Sequence, residues 1–141
     1  MKYIQTIIPK VSTDQLENIK KSSLRAFVKT YYSENFQNKI SVINEDLGIK
    51  VEFIGDGTKK TSFGAAMYLK KAATILILDK LIKYAKYSNW GDRKDNDKST
   101  VIGYLNFKVK VFIDGKICHF AINIQVRNTG KFHYSLDENR Y

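Results

Sequence analysis

The alternation of apolar and polar residues is clearest in the last third of the chain, where it predicts antiparallel strands. From Val101 to Ile113, and again from Lys116 to Arg127, apolar side chains fall on one face, a period of two that is typical of half-buried strands. The Asp114-Gly115 pair between them is a favourable hairpin turn, because both residues tolerate positive φ. Pairing outwards from this turn aligns the two apolar faces and places Lys110 opposite His119.

A third strand is predicted after the loop Asn128-Thr129-Gly130. A three-residue loop pairs Gln125 with His133 and keeps the apolar side chains on the core face, whereas a two-residue loop would turn His133 into the core. The opposite face of this meander is therefore polar. It carries Lys108, Lys110, Phe112, His119, Ala121, Asn123, Gln125, His133 and Ser135.

The strongest helix signal extends from Phe63 to Tyr87. Good helix formers dominate it and apolar residues cover most of its circumference, so we expect a long helix buried against the sheet. Apolar residues at helical spacing predict an earlier helix from Thr13 to Ser33, and Ser12 with Gln15 fits a capping box at its start. A short β-prone run from Tyr3 to Ile8 precedes it.

Two further short strands are predicted at Lys39–Ile43 and Gly48–Ile54, and a long polar loop at Asn89–Thr100. The expected fold is α+β: an antiparallel β-meander sheet backed on one face by the long buried helix, with an N-terminal strand–helix extension. We expect a single domain, made of the extension (1–38) and an α+β core (39–141).

Composition adds a strong positive charge to this picture. The 141 residues include 24 Lys and Arg against 14 Asp and Glu, a formal net charge of +10. Such a charge favours nucleic acid as a partner, and lysine outnumbering arginine favours contacts with its backbone over sequence readout. A lysine-rich surface kept for solubility is the alternative. With one cysteine, no apolar run long enough to cross a bilayer and no visible signal peptide, we expect a soluble cytoplasmic protein without membrane contact.

The residues on the polar face suit metal-independent RNA cleavage, which needs proton transfer and cations around the phosphate. The scattered carboxylates argue against a two-metal site, and no cofactor is expected. His119 and His133 are about 20 Å apart in the predicted register, so only one of them can act at a given phosphate. His133 is preferred as general acid or base, and His119 with Lys110 is the second choice.

The candidate residues fall into two groups. The candidate catalytic residues are His133, Tyr134, Lys110 and His119. The candidate substrate-binding residues are Lys108, Lys131, Gln125, Arg127, Lys70, Lys71 and Arg93. Each has a plainer interpretation as an ordinary surface or core residue, and paired lysines such as Lys70 and Lys71 usually face water.

Three segments carry a family resemblance: GAAMYLKKAATILILDKLIKYAKY, GYLNFKVKVFIDGKICHFAINIQV and GKFHY. They resemble domains associated with the large polyvalent proteins of phages and mobile elements, which are grouped with predicted nucleases of the barnase–EndoU–colicin–RelE-like fold. The resemblance covers Asn44 to Tyr141 but not Met1 to Asn38. It implies a helix-backed antiparallel sheet and metal-independent RNA cleavage on its open face. Carried over by position, it places Lys108, Lys110, Lys131, His133 and Tyr134 at or near the site.

The leading hypothesis is therefore a metal-independent endoribonuclease of a phage, mobile element or toxin system. RNA is the expected partner, and a cognate immunity or antitoxin protein is a further candidate partner. The first alternative is a non-catalytic nucleic-acid-binding module that uses the same basic face. The second is a protein-interaction or inhibitor module of a mobile element.

Overall fold

The computed structural model describes residues 5–55, 69–95 and 97–136. Over these residues the chain is mostly β, with seven strands in one mixed, curled sheet. The strands are β1 (Lys10–Val11), β2 (Ser41–Ile43), β3 (Lys50–Ile54), β4 (Lys86–Asp92), β5 (Val101–Ile113), β6 (Lys116–Arg127) and β7 (Phe132–Ser135). The helices are α1 (Leu24–Asn35), α2 (Leu69–Ala73) and α3 (Leu78–Tyr84), with single 3₁₀ turns at Asp14–Leu16, Lys21–Ser23 and Thr74–Ile77.

The strand order is β1-β5-β6-β7-β3-β2, and β4 also pairs with β5. The β1–β5 and β3–β7 pairs are parallel, and the other pairs are antiparallel. The expected antiparallel meander backed by a long helix is therefore wrong. The meander β5–β6–β7 exists, but β3 adds to it in parallel and extends it into a mixed sheet, a long-range pairing that local alternation does not reveal.

The predicted register of the meander is confirmed. Asp114 and Gly115 have φ values of 52° and 81°, as a hairpin turn of this kind requires. Lys110 lies opposite His119 across β5 and β6. Gln125 lies opposite His133 across β6 and β7, and Gly130 in the intervening loop has a φ of 84°.

The first part of the predicted long helix, Phe63 to Tyr68, lies outside the described residues. In the part that the structure describes, the prediction of one long helix is wrong. The remainder is two short helices, α2 and α3, separated by the 3₁₀ turn Thr74–Ile77. Because this segment is buried on nearly every side, its apolar pattern fits one continuous α-helix and two short helices with a 3₁₀ turn equally well. The predicted helix end at Tyr87 and the first part of the predicted polar loop, residues 89–92, are also wrong, because both belong to the edge strand β4. This strand is mostly exposed and so lacks an apolar face.

The N-terminal segment also departs from its prediction. The expected helix from Thr13 begins as two separate 3₁₀ turns and becomes α-helical only at Leu24. Ser12 Oγ accepts a hydrogen bond from Asp14 N at 3.0 Å, so the serine closes a local turn. Of the predicted first strand, residues 3 and 4 lie outside the described residues and residues 5–8 are irregular.

The core lies between one face of the sheet and the helices. Its centre is an aromatic cluster of Tyr32 and Phe36 from α1 and its C-terminal end, Phe53 of β3 and Tyr134 of β7, with ring centroids 5.3–6.3 Å apart. All four residues are buried. We call the other side of the sheet the polar face, and the candidate site lies there.

Candidate functional site

One line of polar side chains crosses the polar face from strand to strand. Its members are paired directly across neighbouring strands, so their side chains project from the same face. This line, the polar row, consists of Ser41 on β2, Glu52 on β3, His133 on β7, Gln125 on β6 and Tyr104 on β5. The sheet thus brings a hydroxyl, a carboxylate, an imidazole, an amide and a phenol into one transverse series.

The centre of the polar row is a histidine–carboxylate pair. His133 Nε2 lies 3.4 Å from Glu52 Oε2 across the parallel β3–β7 pair. The other ring nitrogen, Nδ1, is buried and has no hydrogen-bond partner among the described residues. An N–H directed from Nε2 to the carboxylate is therefore the neutral tautomer that this environment favours.

The environment of His133 favours its neutral form. Burial is the largest cause and lowers the pKa of the imidazole below its usual 6.5, and the positive charges of Arg127 and Lys131 lower it further. The charge of Glu52 and its hydrogen bond act in the opposite direction but do not prevail. His133 therefore serves better as a neutral hydrogen-bond donor to Glu52 than as an imidazolium acid near neutral pH.

Glu52 also borders a hollow of about 360 Å³ beside β2 and β3. Its polar lining includes Asn38, Lys39, Ser41 and Lys50 together with Glu52. The Glu52 side chain is 36% exposed, whereas that of His133 is only 16% exposed. The carboxylate is therefore the member of the pair that a bound molecule can reach, and the two lysines supply positive charge for an anionic group.

Hydrogen bonds within the protein fix the far end of the polar row. Gln125 Oε1 accepts from Arg127 Nε at 3.1 Å and from Nη2 at 2.7 Å, and Arg127 Nη1 donates to Thr100 Oγ1 at 2.8 Å. The Tyr104 hydroxyl donates to Asp97 Oδ2 at 2.8 Å. These bonds hold the loop after β4 against the polar row, and Gln125 is buried beneath it.

Arg93 stabilises the same loop from within. Its guanidinium donates to the carbonyls of Val101, Asp97 and Lys98 at 3.0, 2.8 and 3.3 Å. The residue is exposed, but these three contacts give it a structural role in closing the loop. Arg93 was predicted to bind substrate, and its described contacts are with the protein backbone.

The helix α1 positions the strands that carry the histidine–carboxylate pair. The hydroxyl of Tyr32 donates to the carbonyl of Ile54 at 2.6 Å and lies 3.2 Å from the carbonyl of Tyr134. These carbonyls belong to β3 and β7, close to Glu52 and His133. A single buried phenol thus bridges the two parallel strands on the core side.

The structure brings only part of the predicted catalytic set together. Tyr134 projects from the face opposite His133 and is buried in the aromatic cluster. Lys110 and His119 are exposed on the polar face, but six residues of β6 separate His119 from the polar row, about 20 Å. The two histidines therefore do not share one site, as the register predicts.

The predicted substrate-binding residues are also dispersed. Lys108 and Lys131 are exposed, the first on the polar face of β5 and the second just before β7. In α2, Lys70 is exposed whereas Lys71 is buried, and burial lowers the pKa of Lys71. These two lysines lie on a helix that joins the core and not on the polar face.

Sequence reasoning missed Glu52, the nearest partner of His133. Alternation along β3 separates Glu52 from the apolar Val51 and Phe53, but it does not identify the neighbour of Glu52 on the next strand. That neighbour follows from the parallel β3–β7 pairing, which joins residues about 80 positions apart in the chain. Paired covariation at positions 52 and 133 is the signal that would have revealed it.

A family model matches most of this chain. The model of large polyvalent protein-associated domain 3 matches residues 19–134. The chain belongs to this family. The match confirms the resemblance to domains of large polyvalent proteins and extends it towards the N-terminus, beyond the predicted start at Asn44. Membership of the barnase–EndoU–colicin–RelE-like nuclease group stays a prediction.

The remaining comparisons add no relatives. No curated protein matches the chain, and no solved structure matches it either. Within the described segments, no three His, Cys, Asp or Glu residues are grouped closely enough to hold a metal ion together. No helix in those segments combines the length and apolar character needed to span a membrane.

Proposed function

We propose that this domain is a metal-independent endoribonuclease whose reactive group is the Glu52 carboxylate. The observation that carries the proposal is the position of Glu52: His133 lies behind it at 3.4 Å, and the lysine-lined hollow lies in front of it. A carboxylate beside ammonium groups suits a phosphodiester, since the cations attract the phosphate while the carboxylate takes a proton. The net charge of +10 favours capture of such a polyanion.

The reaction is an intramolecular phosphoryl transfer. Glu52 accepts the proton of a ribose 2′-hydroxyl, the 2′-oxygen forms a bond to phosphorus, and the bond from phosphorus to the 5′-oxygen breaks. The 5′-oxygen takes a proton from solvent water, and Glu52 then releases its own proton to solvent. The products are a 2′,3′-cyclic phosphate and a 5′-hydroxyl. The charge that develops on the phosphate oxygens is stabilised by Lys39 and Lys50.

In this proposal His133 is a positioning residue. Its Nε2 hydrogen points at Glu52 and holds the carboxylate in one orientation, and the lowered pKa keeps the ring neutral in that role. Sequence reasoning placed His133 as general acid or base. The buried Nδ1, for which no described residue is a partner, and the lowered pKa favour the supporting role instead.

The test is cleavage of a fluorescently labelled RNA by the purified full chain in EDTA, with identification of the cyclic phosphate product. We expect Glu52→Gln to lower kcat by about 10²-fold or more, the usual contribution of a general base. The matched control is Glu34→Gln, which changes an exposed carboxylate on α1 and should retain the wild-type rate. Wild-type cleavage that survives Glu52→Gln would contradict the assignment.

The role of His133 is tested by a pair of substitutions. His133→Gln keeps an N–H donor near the carboxylate and should retain much of kcat, whereas His133→Leu removes the donor and should lower kcat with little change in KM. Circular dichroism and urea unfolding establish that both variants are folded. Equal loss in the two variants would contradict a role based on hydrogen-bond donation.

A non-catalytic nucleic-acid-binding module is the second candidate function. It is favoured by one observation, the neutral His133, which leaves the site without an evident imidazolium acid for the 5′-oxygen. In that case the wild-type chain binds RNA in a salt-dependent manner but yields no cyclic phosphate product. The cleavage assay separates the two functions directly.

A further inference from the structure

We infer that the polar face holds a single-stranded RNA segment lengthwise along β5 and β6, from the polar row to the Lys110–His119 pair. This inference rests on the proposed function and names its substrate class: an unpaired strand that contacts the protein well beyond the cleaved bond. It assigns Lys108, Lys110 and His119 to a second contact region. We call this region the distal track.

Basic side chains lie opposite one another in and beside the distal track. Lys108 pairs with Lys86 on β4, and Lys110 pairs with His119 on β6. The Lys86–Lys108 pair sets like charges directly opposite one another, which is destabilising in a sheet. Lys86 is balanced at 3.8 Å by Asp46, whereas Lys108 and Lys110 project from the exposed surface of β5. A bound polyanion relieves this repulsion.

Amide side chains lie between the distal track and the polar row. Asn106 pairs with Asn123 on β6 and with Asn89 on β4, and its Nδ2 donates to Asn89 Oδ1 at 3.1 Å. Amides offer donors and acceptors to base edges, which are accessible when the bases are unpaired. Ala121, opposite Lys108, is exposed and small, so the surface stays low along the proposed path.

The dimensions of the face set the length of the bound strand. His119 lies six residues along β6 from Gln125, or about 20 Å at the rise of an extended strand. Grooves that bind single strands accommodate about 4 nucleotides or more. A dinucleotide at Glu52 therefore cannot reach Lys110, whereas a longer oligonucleotide can.

The chemistry of the cations indicates contacts with the backbone and not with specific bases. The distal track contains lysine and histidine, and an ammonium binds phosphate as a point charge without the fork that reads guanine. The described contacts of Arg93 and Arg127 are with protein acceptors. We therefore expect tight binding with little sequence preference.

The experiment measures RNA binding and RNA cleavage separately. Fluorescence anisotropy with a labelled oligouridylate of ten nucleotides compares the wild type with the double variant Lys108→Gln/Lys110→Gln. The control is Lys20→Gln/Lys29→Gln, which has the same change in charge at exposed residues on the helical side. At low salt we expect the distal-track variant to bind on the order of tenfold more weakly, with a log–log salt slope shallower by about 1.4 for two lost phosphate contacts. The control variant should bind the oligouridylate with nearly the affinity and salt slope of the wild type.

Cleavage adds the dependence on substrate length. The distal-track variant should cleave a dinucleotide at the wild-type rate but show a raised KM for the ten-nucleotide substrate. Equal weakening by both lysine pairs would overturn the inference, and so would equal binding of poly-glutamate with the same dependence on Lys108 and Lys110. If the wild type cleaves neither substrate, the proposed function fails, and the anisotropy comparison still decides for or against the distal track.

Discussion

At the residue scale, the two ring nitrogens of His133 have different environments. One ring nitrogen contacts a half-exposed carboxylate, and the other is buried without a described partner. Protonation would place a second N–H of the ring at the buried Nδ1, where no described residue offers an acceptor. These surroundings therefore favour the neutral ring, which in the proposed reaction orients Glu52 without competing for the proton.

The lowered pKa of His133 predicts a stability change with pH. As pH falls below about 6.5, the unfolded chain takes up this proton before the folded chain does. The contribution of His133 to stability is therefore complete above pH 6.5 and declines as pH falls towards the lower folded pKa. Urea unfolding near pH 7.5 and pH 5 should show a smaller loss for His133→Gln than for the wild type. A larger loss in the variant would contradict the lowered pKa.

The site was only partly predictable at this scale. His133 and Gln125 were placed side by side because a turn and a short loop fix the register of neighbouring strands. Glu52 was not, since its proximity to His133 depends on a strand distant in the chain. Tyr134 was proposed for catalysis although alternation along β7 puts it on the opposite face from His133, where it joins the aromatic cluster.

At the scale of elements, β4 is attached to the sheet by a close contact between a tryptophan and a glycine. A side chain added at Gly103 would overlap the indole of Trp90, so the ring lies over the bare backbone of β5. Trp90 Nε1 also donates to Asp92 Oδ1 at 3.2 Å. Gly103 is thus required by the ring above it and not by a special backbone angle.

Gly103→Ala should displace the indole and destabilise the fold by about 1–3 kcal/mol, the usual cost of overpacking. Trp90 is the only tryptophan, so its fluorescence reports this movement as a shift to longer wavelength. In the Trp90→Ala background the same substitution should be neutral or stabilising, because the obstacle is gone and alanine loses less backbone entropy than glycine. Destabilisation of equal size in both backgrounds would refute the contact.

Elements with local pairing were predicted better than the others. The β5–β6 hairpin follows from Asp114-Gly115 and two aligned apolar faces. By contrast, KYSNWGD has little alternation, and β4 forms because its backbone completes an edge of β5. The apolar stretch before it gives no reason to prefer one long helix over two short ones when nearly every side is buried.

At the scale of the whole molecule, the parallel β3–β7 pair unites the N-terminal part of the chain with the C-terminal meander. The order β7-β3-β2 extends the meander by two strands and creates the hollow beside Glu52. Tyr32 secures this junction from the core side through the carbonyls of Ile54 and Tyr134. The mixed sheet was not predictable from local patterns, because parallel pairing leaves no turn in the sequence.

Tyr32→Phe should therefore weaken the whole fold. The substitution keeps the ring but removes the hydroxyl that donates to the Ile54 carbonyl, and the loss of this hydrogen bond costs about 1–3 kcal/mol. Tyr31→Phe, at the neighbouring half-buried position of α1, is the control and should change the free energy of unfolding much less. Chemical denaturation monitored by circular dichroism measures both. Equal stability of Tyr32→Phe and the wild type would show that the hydroxyl does not hold the junction.

Three different parts of the chain pair with the edge of β5 that faces away from β6. β4 pairs with residues 103–108, β1 pairs with residues 112 and 113, and the Gln5 amide exchanges hydrogen bonds of 2.9 and 2.8 Å with the backbone of Lys110 between them. The Gln5 side chain thereby takes the place of a neighbouring strand in the hydrogen bonding of Lys110. At these positions the edge of β5 is already paired, so a strand from a second copy of this domain cannot pair with it there.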